Sequence, residues 1–200
     1  MTRDIKAEMD EMYLVEDPFG YRVRNRWPLT AGIAQQLMYG RIGNFCEIGC
    51  GEGGLLRHLE NAFLPRTQGS YAVEICESVA MNAFHRCSTP VRVADALDES
   101  SWRKFPGQVD LCVVSDFFER NAEFSENERV CEQLYSGYLN PKGILLATGI
   151  LQNSSSPLPF PSTILDAKTV FEGVVRMEVY NRRTKEVEFN PCIYRAYQKP

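Results

Sequence analysis

The residues Glu47-Ile48-Gly49-Cys50-Gly51-Glu52-Gly53-Gly54 carry the densest chemical signal in this chain of 200 residues. A short apolar run leads into them, and Leu55 to Phe63 follows at helical spacing. A glycine-rich turn between a strand and a helix lets a ligand come close to backbone and points free helix N–H groups at it. The spacing fits two patterns at once. Gly49-x-Gly51-x-x-Gly54 matches the turn that holds a dinucleotide diphosphate, and Glu47 to Gly53 reads Glu-x-Gly-x-Gly-x-Gly. The acid separates them. A carboxylate at the mouth of the turn repels a diphosphate and attracts a ligand bearing an ammonium or a sulfonium. For unit charges about 4 Å apart at an effective dielectric near 20, either effect is worth about 4 kcal/mol.

Other polar residues fall at the ends of apolar runs that alternate with helical segments. Strands are expected over 44–48, 70–75, 91–94, 109–115 and 144–149, with helices over 27–38, 53–63, 78–87 and 126–138. Pro28 suits the first turn of its helix, and Ser78 is the expected N-cap of another. Alternating strands and helices imply parallel strands joined by right-handed crossovers. The apolar runs at 109–115 and 144–149 fit a sheet covered on both faces. In this arrangement Glu74, Asp95-Ala96 and Ser115-Asp116 stand at carboxyl ends of strands, where open α/β sheets bind ligands. Asn140-Pro141-Lys142-Gly143 reads as a turn. Beyond it come a proline-rich stretch over 153–161, a helix over 164–171, and strands over 174–180 and 192–198 forming a hairpin around a polar turn at 181–185.

These residues together resemble the class I S-adenosylmethionine-dependent methyltransferases. Glu47 to Gly53 matches that family's first motif, and Glu74 ends the second strand where the family's acid holds both ribose hydroxyls. Asp95-Ala96 follows the third strand, where the family places an acid near the adenine amine. Asp110-Leu111-Cys112-Val113-Val114-Ser115-Asp116 matches the fourth-strand motif. Leu139-Asn140-Pro141-Lys142-Gly143-Ile144-Leu145 matches the entry to the fifth strand, with Lys142 in place of the usual glycine. The resemblance spans about residues 20 to 198. It implies a doubly wound, mostly parallel seven-stranded sheet with a C-terminal antiparallel hairpin. It also implies S-adenosyl-L-methionine as cofactor, held by Glu47, Gly49, Gly51, Gly53, Glu74, Asp95, Ala96 and Ser115. A finer similarity, to the nodulation-type N-methyltransferases that act on an amino sugar, rests on Glu16-Asp17-Pro18-Phe19, the short first loop and the compact tail.

The expected reaction is methyl transfer to a nitrogen or oxygen of a small molecule, an amino sugar or another metabolite. The acceptor pocket is expected past the fourth strand, with Asp116 and Glu119 as catalytic residues that orient or deprotonate the acceptor, and Phe117 and Phe118 as walls. Tyr13, Tyr21 and Trp27 are candidates for a lid. Plainer readings stand beside these: Glu74 as a solvated strand end, Asp95 as a turn cap, Asp110 as structural, Cys50 as filler, and His58 and His85 as surface or packing residues. A non-catalytic cofactor-binding or scaffolding member of the fold is one alternative. A dinucleotide-dependent oxidoreductase is another.

Composition sets the remaining bounds. The net charge of −4 gives no broadly basic face, so nucleic acid is not an expected partner. Arg22, Arg24 and Arg26 form a local basic stretch that reads as a solvated face. Seven cysteines, an odd number with no Cys-x-x-Cys, argue against a zinc site or disulfide framework and read as small buried hydrophobes. The start MTRDIKAEMDEMY is too charged for a signal peptide and no apolar run is long enough to span a membrane, so a cytoplasmic protein is expected. Residues 1–20 are expected to be a polar arm and 21–200 a single domain.

Overall fold

In the computed structural model, the described residues are 26–39, 41, 43–63, 69–98, 100–101, 105, 107–115, 124–151, 158, 160–181 and 186–200. Helix α1 (Arg26–Leu37) precedes β1 (Phe45–Ile48), α2 (Gly54–Phe63), β2 (Tyr71–Glu74), α3 (Glu77–Arg86) and β3 (Val91–Val93). Then come β4 (Val109–Ser115), α4 (Phe124–Gln133), a π-helical turn (Leu134–Tyr138), β5 (Leu139–Ile150), β6 (Lys168–Asn181) and β7 (Glu186–Gln198). The seven strands form one sheet in the order β3-β2-β1-β4-β5-β7-β6. Strands β1 to β5 run parallel to one another, and β7 runs antiparallel between β5 and β6. The expected mostly parallel sheet with a terminal hairpin is therefore present.

Alternation along each strand sends side chains to opposite faces, and both faces are covered. Phe45, Leu111, Val113, Ile144 and Leu146 pack beneath Ala31 and Ala34 of α1 and Leu55, Leu56 and Leu59 of α2. Their neighbours Cys46, Ile48, Cys112, Val114, Leu145 and Ala147 pack on the other face with Val130 and Cys131 of α4 and Leu134. The chain reverses direction in space where β1 lies between β2 and β4. That is the point at which an open α/β sheet leaves a crevice at its carboxyl edge.

Four local expectations need correction. Helix α3 begins at Glu77 with Cys76 as its N-cap, not Ser78, and no side chain caps it. Glu74 Oε1 accepts the Cys76 N–H at 3.0 Å, which sets the helix entry before Ser78 is reached. The helix expected over 126–138 stops at Gln133 and widens into the π-helical turn, where the Leu139 N–H bonds the Leu134 carbonyl. Residues 164–171 are not helical. Leu165 has φ 40°, and β6 starts at Lys168 paired with Gln198. Val170, Phe171, Val174 and Val175 are β-branched or aromatic residues that suit a strand. The turn expected over 140–143 is a bulge within β5, since Val109 pairs with Leu139 and Leu111 with Ile144. Lys142 takes φ 63° at that bulge, the left-handed conformation that glycine adopts most readily.

Asp110 joins the amino ends of these strands. Its Oδ2 accepts the Asn44 N–H and its Oδ1 the Asn140 side-chain amide, each at 3.0 Å. This is the structural role that the plainer reading assigned it. All seven cysteines are free thiols, and all but Cys87 are buried. Among the described residues, no helix is long and apolar enough to cross a membrane.

Candidate functional site

Residues from four adjacent strands meet at the carboxyl edge of the sheet. β1 ends at Ile48, and the chain turns through Gly49, Gly51 and Gly53 at φ 73°, 55° and 82°. The Gly49 and Cys50 N–H groups both donate to the Val73 carbonyl, at 2.8 and 3.0 Å, so the loop bends toward β2. There the Gly51 N–H donates to Glu74 Oε2 at 2.8 Å. Glu74 thus uses one oxygen to hold the glycine loop and the other to hold the entry of α3.

Glu47 is 2% exposed, and its Oε2 has no hydrogen-bond partner among the described residues. Its strand neighbours are Ala72 and Val113, both apolar and buried. Burial, and then the charge of Glu74, push the Glu47 carboxyl well above the usual carboxylate range. A buried acid beside a second acid, with an orphaned oxygen, is a costly arrangement for a folded chain. It is complementary to an incoming cation with N–H donors.

The remaining expected cofactor residues surround this pair. The Ala94 N–H donates to the Glu74 carbonyl, which brings Asp95 and Ala96 beside β2. Asp95 Oδ1 accepts the Leu97 N–H at 2.8 Å, so Asp95 does cap a turn, and Ala96 is buried. Ser115 lies one step beyond the Ile48–Val114 pair, level with Gly49, and its hydroxyl is 3.0 Å from that of Thr148 on β5. Asp116, Phe117, Phe118 and Glu119 lie outside the described residues, as do Tyr13 and Tyr21.

Trp27 is not a lid. It sits in α1, and a Cβ built on Gly54 would stand 2.2 Å from its indole ring. Gly54, the third glycine of the dinucleotide-like spacing, is therefore accounted for by helix packing. His58 lies nearby on α2, its ring centroid 6.4 Å from that of Trp27, and serves packing. The Cys50 thiol is pushed well up by burial and by Glu47 and Glu74, so it stays protonated and fills space in the loop.

Sequence reasoning missed two features. Glu52, at the tip of the loop, accepts Arg86 Nη1 at 2.8 Å and the Asn82 amide at 3.3 Å, tying the loop to α3. Only its place between two motif glycines hinted at this. Arg26, read as part of a solvated basic face, is 1% exposed and donates to Cys192 Sγ at 3.1 Å. It lies with buried Thr30 and Tyr194 between α1 and β7. Burial and Cys192 hold the Tyr194 phenol up, while Thr30 and the Arg26 charge act in the opposite sense. No sequence signal marked this cluster, because Tyr194 sits in an otherwise ordinary strand.

No family model and no curated protein matches the sequence. Solved structures do match the fold. The N-methyltransferase NodS from Bradyrhizobium japonicum WM9, in complex with S-adenosyl-L-homocysteine, has a TM-score of 0.69 at 14% identity, over 98% of this chain and 98% of that one. Coclaurine N-methyltransferase, bound to N-methylheliamine and S-adenosylhomocysteine, gives 0.63 at 12% identity, over 86% of this chain and 72% of that one. The sugar N-methyltransferase KedS8 from Streptoalloteichus sp ATCC 53650 gives 0.58 at 19% identity, over 93% and 79%. The chain has the Rossmann-like fold of the class I S-adenosylmethionine-dependent methyltransferases. The resemblance to the nodulation-type N-methyltransferases extends along nearly the whole chain at the level of fold.

Proposed function

We propose that this chain binds S-adenosyl-L-methionine at the carboxyl edge of β1, β2 and β3 and transfers its methyl group to a nitrogen or oxygen of a small molecule. The observation that carries this reading is the buried Glu47 carboxyl with its orphaned Oε2 in a cradle of glycine backbone beside Glu74. A diphosphate would add negative charge where two acids already stand. An amino-acid tail bearing an ammonium relieves it. In this reading Glu47 and the Gly49–Gly53 backbone receive that tail, and Glu74 receives the ribose hydroxyls. Asp95 and Ala96 border the adenine, and Ser115 borders the cofactor from β4.

The bound cofactor would supply a methyl group made electrophilic by the sulfonium. The protein's part is to align the acceptor, exclude water and manage one proton. Asp116 and Glu119, directly after β4, are the proposed residues for orienting the acceptor and taking the proton it loses as the new bond to carbon forms. Support for a nitrogen acceptor comes from neighbours named as N-methyltransferases, one of them acting on a sugar. An amino sugar is therefore the first acceptor to try.

Calorimetric titration with S-adenosylmethionine and S-adenosylhomocysteine, followed by turnover on amines, amino sugars and phenols, tests the reading. Binding of both is expected, and Glu74→Ala is expected to weaken it about tenfold or more. Asp116→Asn is expected to lower kcat by about 10²–10⁴ if its carboxylate is the base. Binding of a nicotinamide dinucleotide in place of either ligand would overturn the reading. Tight binding without turnover of any acceptor would leave a cofactor-binding subunit.

A further inference from the structure

Glu47 carries a consequence for how a ligand enters the cradle, and the inference rests on the cofactor reading above. We infer that ligand binding here expels a proton from Glu47: a ligand that brings an ammonium group to this carboxyl binds with proton release, and the adenosine portion alone binds without it.

The geometry supplies the reason. Glu47 is 2% exposed and Oε2 has no partner. Its neighbours across β1 are Ala72 and Val113, which offer neither donors nor charge. Four titratable groups interact with it. Cys46 lies on the same strand, Cys50 on the loop, Cys87 just after α3, and Glu74 on β2. Burial raises the thiols of Cys46 and Cys50 well above their usual range and that of Cys87 to about 12, so all three stay neutral. Arg57 and Arg86 act on Cys87, and no cation among the described residues offsets the Glu47 charge. Glu74 is a different kind of acid. Its carboxylate accepts the Gly51 and Cys76 N–H groups, an arrangement that favours its charged form. Of the two acids, Glu47 is therefore the one that holds a proton in the ligand-free protein.

An ammonium placed against Oε2 reverses this balance. The O–H bond of Glu47 breaks, the proton passes to solvent, and the carboxylate pairs with the ligand's N–H donors. At the Glu47 carboxyl the charge is balanced, because the ligand's ammonium takes the place of the departing proton. The step needs no other reactant. It also makes the cradle selective: a neutral tail meets a protonated acid and gains no ion pair.

Linkage gives the sign. Affinity for the ammonium ligand rises with pH, by up to about tenfold per pH unit while Glu47 is protonated in the free protein. The ligand's own α-amino group lies beside a carboxylate and ionises above the peptide α-amino range of about 7.7–8.0, so about pH 5.5 to 7.0 isolates the contribution of the protein.

The test is calorimetric titration of the full chain with S-adenosylhomocysteine in phosphate, PIPES and imidazole buffers, whose ionisation heats differ. 5′-Methylthioadenosine, which lacks the amino-acid tail, is the control. Release approaching one proton per S-adenosylhomocysteine, with affinity rising across the range, is expected, as is no release with 5′-methylthioadenosine. A folded Glu47→Gln protein is expected to bind S-adenosylhomocysteine more weakly and without release. The buffer comparison on the unmodified protein decides the matter even if that variant does not fold. S-adenosylhomocysteine binding with no proton released at any pH would overturn this inference alone, as would equal release with the control. Absence of binding would overturn the cofactor reading itself.

Discussion

At the residue scale, the account turns on two glutamates given different environments. Glu74 is satisfied by backbone amides, whereas Glu47 is enclosed by apolar neighbours and its partner's charge. An unfolded glutamate ionises near pH 4.3. Because the folded value of Glu47 is raised, the stability it contributes is fully present below that pH and is lost as pH rises through the folded value. Ligand-free Glu47→Gln should therefore gain stability relative to the unmodified protein as pH increases from about 4 to 8. Urea denaturation across that range checks this, and parallel pH profiles for the two proteins would contradict it. Gly54 makes a second prediction at this scale. Its alanine variant forces a methyl against the Trp27 ring and should cost about 1–3 kcal/mol by overpacking. Combining it with Trp27→Leu should recover part of that loss, as a double-mutant cycle would measure.

At the element scale, strand and helix identities were legible wherever an apolar run met a turn. β4 was expected over the span it occupies, because Val109 to Ser115 is apolar enough to be buried on both sides. Boundaries set by long-range contacts were not legible. The start of α3 depends on a carboxylate at the end of β2, so Ser78 looked like a cap and is not one. Ser78→Ala should accordingly change stability by less than about 0.5 kcal/mol, against roughly 1 kcal/mol for a true N-cap. The helix expected over 164–171 failed because pairing with β7 overrides local periodicity. The stretch before β6 is held by tertiary contacts. Tyr135 donates to Asp166 at 2.9 Å, and the Tyr197 hydroxyl donates to the Pro161 carbonyl. Lys142 at the β5 bulge is strained by its left-handed conformation. A β-branched residue there should be worse than lysine and glycine no worse. Lys142→Val is expected to cost about 1–2 kcal/mol and Lys142→Gly to be neutral or stabilising, as read from urea midpoints.

At the scale of the whole molecule, the sheet order 3-2-1-4-5-7-6 converts residues scattered from Glu47 to Ser115 into one edge. The sequence disclosed the glycine loop, the acids at the ends of β1 and β2, and the reversal that puts them together. It did not disclose that Glu74 builds the loop it borders, nor that Arg26 is buried against β7, since neither follows from spacing along the chain. Solved structures between 12% and 19% identical to this chain share the architecture.

A crystal structure of the chain grown with S-adenosylhomocysteine tests the central claim most directly. The account predicts the ligand's amino group within hydrogen-bond reach of Glu47 Oε2, with its ribose hydroxyls on Glu74. A ligand seated elsewhere, or a diphosphate bound in the Gly49–Gly53 turn, would contradict it.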